Sequence, residues 1–67
     1  MAKKYRDVRR ALRRSGWRTL RVSGSHELWA HPDGRRVVIA GGGKDGREVP
    51  VGTLASIRRD TGLEELR

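Results

Sequence analysis

Cysteine and phenylalanine are both absent from the 67 residues of this chain. Without cysteine there is no disulfide framework and no thiolate zinc site, and nothing hints at an oxidising compartment. Long apolar runs are missing too. None approaches the roughly 20 residues of a membrane-spanning helix. The basic first residues lack the apolar stretch of a secretory signal. These absences lead us to expect a cytoplasmic protein with no membrane partner. Hydrophobic residues make up only 34% of the chain and aromatics 4%, so the core must be thin. A domain of this size buries only about 60% of its unfolded surface. The expectation is one domain over residues 1–67. Its core should rest on Leu12, Trp17, Leu20, Leu28, Trp29, Val38, Ile39, Leu54 and Ile57.

Positive charge, by contrast, is plentiful. Sixteen Lys and Arg stand against eight Asp and Glu, for a net charge of +8. Such a balance speaks about partners, not fold. Nucleic acid is the first candidate, an acidic protein the second and an anionic membrane surface the third.

The pattern of apolar residues predicts the order helix, three strands, helix. Residues 3–15 read as a helix, because Tyr5, Val8, Leu12 and Ser15 share one face at spacings of three and four, with Ala11 at its edge. Most of the remaining circumference is basic: Lys3, Arg6, Arg9, Arg10, Arg13 and Arg14, with Lys4 nearer the apolar edge. Only Asp7 interrupts the sign, whereas a face chosen for solubility usually mixes signs. Gly16 ends the helix as a C′ glycine does. Strands are expected over 17–22, 25–31 and 35–40. Ser23-Gly24 breaks the first from the second, and Pro32-Asp33-Gly34 forms the next turn. In the second strand Glu27 and Trp29 share one side, and His26, Leu28 and Ala30 the other. Both sides carry an apolar residue, so alternation leaves the buried side open. One side should be covered by helices and the other left to meet a partner. Residues 41–46 read as a flexible glycine-rich loop. A second helix should run from Pro50 or Gly52 to Asp60, followed by one more turn near Glu64.

Histidine is the side chain best suited to give and take protons near neutral pH. His26 follows Gly24 and Ser25, small residues that leave room for a phosphate beside the imidazole. His31 is its rival, but a turn histidine ordinarily bonds locally. The two are five residues apart on one strand, so they point to opposite faces. They make neither an acid/base pair on one phosphate nor a shared metal site, and no metal or cofactor is expected. Gly41-Gly42-Gly43-Lys44 is not a phosphate-binding P-loop, because Asp45 follows the lysine where Ser or Thr is required. Ser25 has no carboxylate placed to complete a nucleophilic triad.

Taken together, these residues resemble the HicA (YcfA-like) family of bacterial toxins. The resemblance rests on Gly16-Trp17, Gly24-Ser25-His26, Trp29 and the His31-Pro32-Asp33-Gly34 turn. It continues through Gly46-Arg47-Glu48-Val49-Pro50-Val51-Gly52-Thr53-Leu54 and Ile57 to Thr61-Gly62-Leu63. One departure is visible. Many relatives carry a Pro-x-His segment after the third strand, where this chain has Ala40-Gly41-Gly42. The resemblance implies an α+β fold like a double-stranded RNA-binding domain, α-β-β-β-α with a three-stranded antiparallel sheet. It also implies an endoribonuclease that cleaves mRNA, a HicB-type antitoxin as partner, and His26 as the catalytic histidine. On this reading Gly24 and Ser25 flank the site, while Lys3, Lys4, Arg6, Arg9, Arg10, Arg13 and Arg14 hold the RNA backbone. The alternatives are an RNA-binding module that does not cut and a protein that only docks an acidic partner.

Overall fold

The computed structural model describes residues 3–41 and 46–66. Helix α1 spans Tyr5–Arg14, and strands β1, β2 and β3 span Arg18–Ser23, His26–Ala30 and Arg36–Ile39. Helix α2 spans Val51–Thr61, and a single 3₁₀ turn follows at Glu64–Leu66. The strands form one antiparallel sheet in the order β1-β2-β3. This is the α-β-β-β-α arrangement of a small α+β fold of the double-stranded RNA-binding-domain type. Much of the glycine-rich stretch expected as a flexible loop, residues 42–45, lies outside the described residues.

Both turns follow from their residues. Ser23 and His26 pair across β1 and β2, which leaves Gly24-Ser25 as a two-residue loop. Gly24 has φ of 58° and Ser25 stays at negative φ. A positive φ at the first central position alone is the pattern of a type II′ hairpin turn, which glycine adopts without strain. At the β2–β3 end, the Gly34 N–H donates to the His31 carbonyl at 2.9 Å, and the His31 N–H donates to the Arg35 carbonyl at 2.9 Å.

One face of the sheet carries the core. Cross-strand partners share a face. The register pairs Trp29 with Val37 and Glu27 with Ile39, and all four are buried. The helices close over them through Tyr5, Val8, Ala11 and Leu12 from α1 and Leu54 and Ile57 from α2. The Tyr5 hydroxyl donates to the Ala40 carbonyl at 2.9 Å, fixing the start of α1 to the end of β3. Burial of Leu12, Trp17, Trp29, Ile39, Leu54 and Ile57 matches expectation. Three other core assignments do not hold. Leu20 and Val38 are 50% and 60% exposed, and Leu28 is only half-buried. Leu28 pairs with Val38 on the uncovered face. Leu20 is the extra residue of a bulge between Thr19 and Arg21, so strand alternation fails there. Val37, Val49 and Leu66 take their places in the core.

A buried ion pair joins the two layers. Arg9, expected on the outer basic face, is instead buried with Glu27. Arg9 Nε donates to both Glu27 oxygens at 3.1 Å, and Nη2 to Oε2 at 2.5 Å. The Trp29 indole N–H donates to Oε1 at 3.0 Å. Burial alone would raise the Glu27 carboxyl. The bonds from Arg9 and Trp29 and the charges of Arg9 and Arg13 outweigh it and hold the carboxyl below its ordinary value. Removing one partner of such a pair strands the other charge, which costs about 3–5 kcal/mol. That is comparable to the whole stability of a domain this small, at about 0.05–0.15 kcal/mol per residue. We therefore expect Arg9→Ala and Glu27→Ala to be largely unfolded at room temperature by circular dichroism. Glu27→Gln, which keeps an acceptor for Trp29, should fall between them and wild type. The sign of the Glu27 shift sets the acid response. The unfolded carboxyl takes up its proton first, so the stability this group contributes is full above its unfolded value. It is lost as pH falls through the lower folded value. Urea titrations from neutral to acidic pH should show this loss in wild type and a flatter profile in Glu27→Gln.

Candidate nucleic-acid interface

The uncovered face of the sheet is built by the same register. Ser23 pairs with His26, Arg21 with Leu28, and Arg18 with Ala30. Across β2, Leu28 pairs with Val38 and Ala30 with Arg36. His26, Leu28 and Ala30 alternate with Glu27 and Trp29, so they point away from the helices. This face therefore presents Arg18, Arg21, Arg36 and His26, and no carboxylate lies among its strand residues. A groove of about 250 Å³ sits at one end, lined by Arg21, Ser23, His26, Leu28 and Val38.

His26 is exposed at the first position of β2. Among the described residues no hydrogen bond or ion pair engages its imidazole. Both ring nitrogens are open to a ligand. Arg21 is its diagonal neighbour across the strand pair, a relation that ordinarily separates residues by about 7–8 Å and their Cβ atoms by somewhat less. A guanidinium reaches readily across that span. Ser23, directly opposite, brings a hydroxyl to the same groove. The chemistry assembled here is a proton carrier, a fixed cation and a hydroxyl beside shallow apolar ground. It suits a phosphodiester, whose negative charge grows as its bond is cut.

Sequence reasoning singled out His26 as a candidate and did not consider Arg21 or Ser23, which the structure places beside it. The signal was present. A two-residue turn at Gly24-Ser25 sets Ser23 opposite His26 and Arg21 diagonal to it. Gly24 and Ser25, expected beside the site, form that turn, and no atom lies within 4 Å of a Cβ built on Gly24. Its need for glycine comes from the backbone angle, not from a close approach.

The basic residues of α1 are on the other side of the sheet. Arg9 bonds Glu27, and the Arg13 guanidinium lies 5.4 Å over the Trp29 ring, both on the covered face. Strand alternation puts α1 and His26 back to back. Lys3 and Lys4 are half-buried at the start of α1. There the backbone of residues 3–5 bonds that of Arg47 and Val49, and a bridge joins Lys4 to Glu48.

His31 has a structural role. One ring nitrogen, Nε2, is 2.9 Å from the Ser15 carbonyl, to which it donates. The other, Nδ1, accepts the Asp33 N–H at 3.2 Å. The ring meets Trp17 edge-on at 5.2 Å, and Arg35 lies 5.2 Å over the same indole. The imidazole thereby ties the end of α1 to the β2–β3 turn. The Asp33 carboxyl in that turn is held below its ordinary value, chiefly by the Arg35 backbone N–H.

Comparison with known families decides the assignment. The family model described as HicA toxin of bacterial toxin-antitoxin matches residues 5–63. The chain belongs to the HicA toxin family. No curated protein matches it. The family places it among toxins of bacterial toxin–antitoxin systems, and the match runs from the start of α1 past the end of α2. In this HicA-family chain no group of three or more His, Cys, Asp or Glu among the described residues is arranged to hold a metal. No helix among them is long and apolar enough to cross a membrane.

The His31 arrangement generates a stability prediction. His31→Ala removes the donor to the Ser15 carbonyl and should cost about 1–3 kcal/mol. Gly16→Ala should also destabilise. Gly16 has φ of 93°, and an added Cβ would stand 3.2 Å from His31 Nε2. Thermal denaturation followed at 222 nm checks both, with a lowered midpoint expected for each.

Proposed function

We propose that this HicA-family toxin is an endoribonuclease that cuts mRNA in the cytoplasm, with His26 as its acid/base group. We further propose that a HicB-type antitoxin restrains it. One observation carries the reading: His26 stands unpaired on a carboxylate-free, arginine-bearing sheet face, next to a groove. An RNA strand laid on that face brings its phosphates to Arg18, Arg21 and Arg36.

The step needs no metal. The ribose 2′-oxygen attacks the adjacent phosphorus and the bond to the 5′-oxygen breaks. A 2′,3′-cyclic phosphate and a free 5′-hydroxyl result. His26 takes the proton from the 2′-hydroxyl, or gives one to the leaving oxygen, and water completes the other transfer. Arg21 neutralises the charge that builds at phosphorus. Proton transfer by a positioned side chain typically contributes about 10²–10⁴-fold. DNA has no 2′-hydroxyl and should not be cut.

The rival reading is an RNA-binding module of the same fold that does not cut. The observation in its favour is that, among the described residues, none orients the His26 ring by a hydrogen bond or ion pair. Incubation of purified protein with labelled RNA separates the two. We expect cleavage by wild type, unchanged by EDTA, and a fall of at least about 10²-fold in His26→Ala. Arg21→Ala should lose on the order of tenfold, less than a donor in a water-excluded site. His31→Ala should cut normally at temperatures where it is folded. Intact RNA alongside measurable binding would favour the module. Full activity in His26→Ala would overturn the assignment of that residue.

A further inference from the structure

Helix α1 carries a second basic surface that the His26 face does not use. A groove of about 610 Å³ runs along it, lined among the described residues by Arg6, Arg9, Arg10, Arg13 and Arg14. Arg9 is held by Glu27 beneath it. Arg14 shares an exposed ion pair with Glu65 at 2.8 Å. Arg6, Arg10 and Arg13 are exposed, and among the described residues no carboxylate pairs with any of them. Arg13 is ordered by its stacking on Trp29. Asp7, the one acid of α1, is occupied at the helix start, where it accepts the Lys4 N–H at 3.1 Å.

We propose that this groove is a second phosphate-backbone site, which holds RNA flanking the segment bound at His26. The proposal rests on the RNA reading of the sheet face. Guanidinium groups match phosphate oxygens in paired, planar hydrogen bonds. Residues four apart on a helix are offset by about 6 Å along its axis, so Arg6 and Arg10 offer successive footholds along a strand. A protein partner is the poorer fit. Interface hot spots are enriched in Trp and Tyr as well as Arg, and among the described residues this groove is lined by arginines alone, with no aromatic anchor beside them.

The two sites face opposite ways, and the molecule is 18 Å across its thinnest dimension. A stacked strand advances about 3.4 Å per phosphate. An RNA must therefore pass around the sheet edge for roughly five nucleotides or more before it touches both. Long RNA should feel α1, and very short RNA should not.

The test compares the Arg6→Ala/Arg10→Ala/Arg13→Ala variant with wild type by fluorescence anisotropy. One probe is a four-nucleotide RNA and the other a thirty-nucleotide RNA, both 2′-O-methylated to prevent cleavage. We expect the long probe to bind at least about tenfold more weakly to the variant. Its log–log salt slope should fall by about 2, near 0.7 for each of three lost phosphate contacts on a single strand. The short probe should bind within about twofold of wild type. The triple Arg→Lys variant keeps the charge and should restore the slope, which guards against a folding defect. Equal losses for both probes, or an unchanged slope with the long one, would overturn the proposal. So would a variant that binds long RNA normally but no longer binds an acidic protein partner. These measurements read binding alone, so they stand or fall separately from cleavage by His26.

Discussion

The buried pair of Arg9 and Glu27 decides which way the sheet faces. Glu27 is on the second strand, and its carboxylate takes every bond it needs from Arg9 of the first helix and the indole of Trp29. A charge that deep is tolerated only when it is paired and hydrogen-bonded. Once the pair forms, Glu27 and Trp29 must point at the helices. The residue before Glu27 must then point at solvent. His26 is presented to solvent because its neighbour is buried. The core and the proposed site share one stretch of strand and are separated by its alternation.

That separation organises the rest of the molecule. The helix side holds the core, and the clamp of Trp17, His31 and Arg35 pins the far turn to the end of the first helix. Arg35 also donates to the Thr61 carbonyl at 3.0 Å, so the same clamp reaches the second helix. The open side has arginines on both edge strands and the histidine on the middle one. Its apolar strand residues, Leu28, Ala30 and Val38, form shallow ground, and among the strand residues of this face there is no Trp or Tyr on which a base would stack. On the proposed reading, such a face meets the backbone of RNA more than its sequence. Affinity from that source weakens steeply with salt.

The fold was legible in the sequence because its punctuation is strong. Gly16, Gly24 and Asp33-Gly34 lie in the links between elements, and Pro50 directly precedes α2. The first helix stripe of Tyr5, Val8 and Leu12 is buried as its spacing demands. His26 was legible from Gly24-Ser25-His26 and the block downstream. The facing of the sheet was not legible. The second strand offers Leu28 on one side and Trp29 on the other, so alternation alone does not choose. The deciding residue, Glu27, looks like a surface residue until its partner is known. Arg9 was hidden in the same way, as one arginine in a basic run. Leu20 was misplaced because a bulge shifts the strand by one residue, which pattern counting does not detect.

The central claim is that RNA meets this protein on the sheet face bearing His26. Backbone and side-chain NMR shifts measured during titration with a 2′-O-methyl RNA oligonucleotide test it most directly, since such RNA binds without being cut. The account predicts the largest changes at Arg21, Ser23, His26, Leu28 and Val38, growing with occupancy. Saturable binding that leaves those five residues unmoved would contradict it.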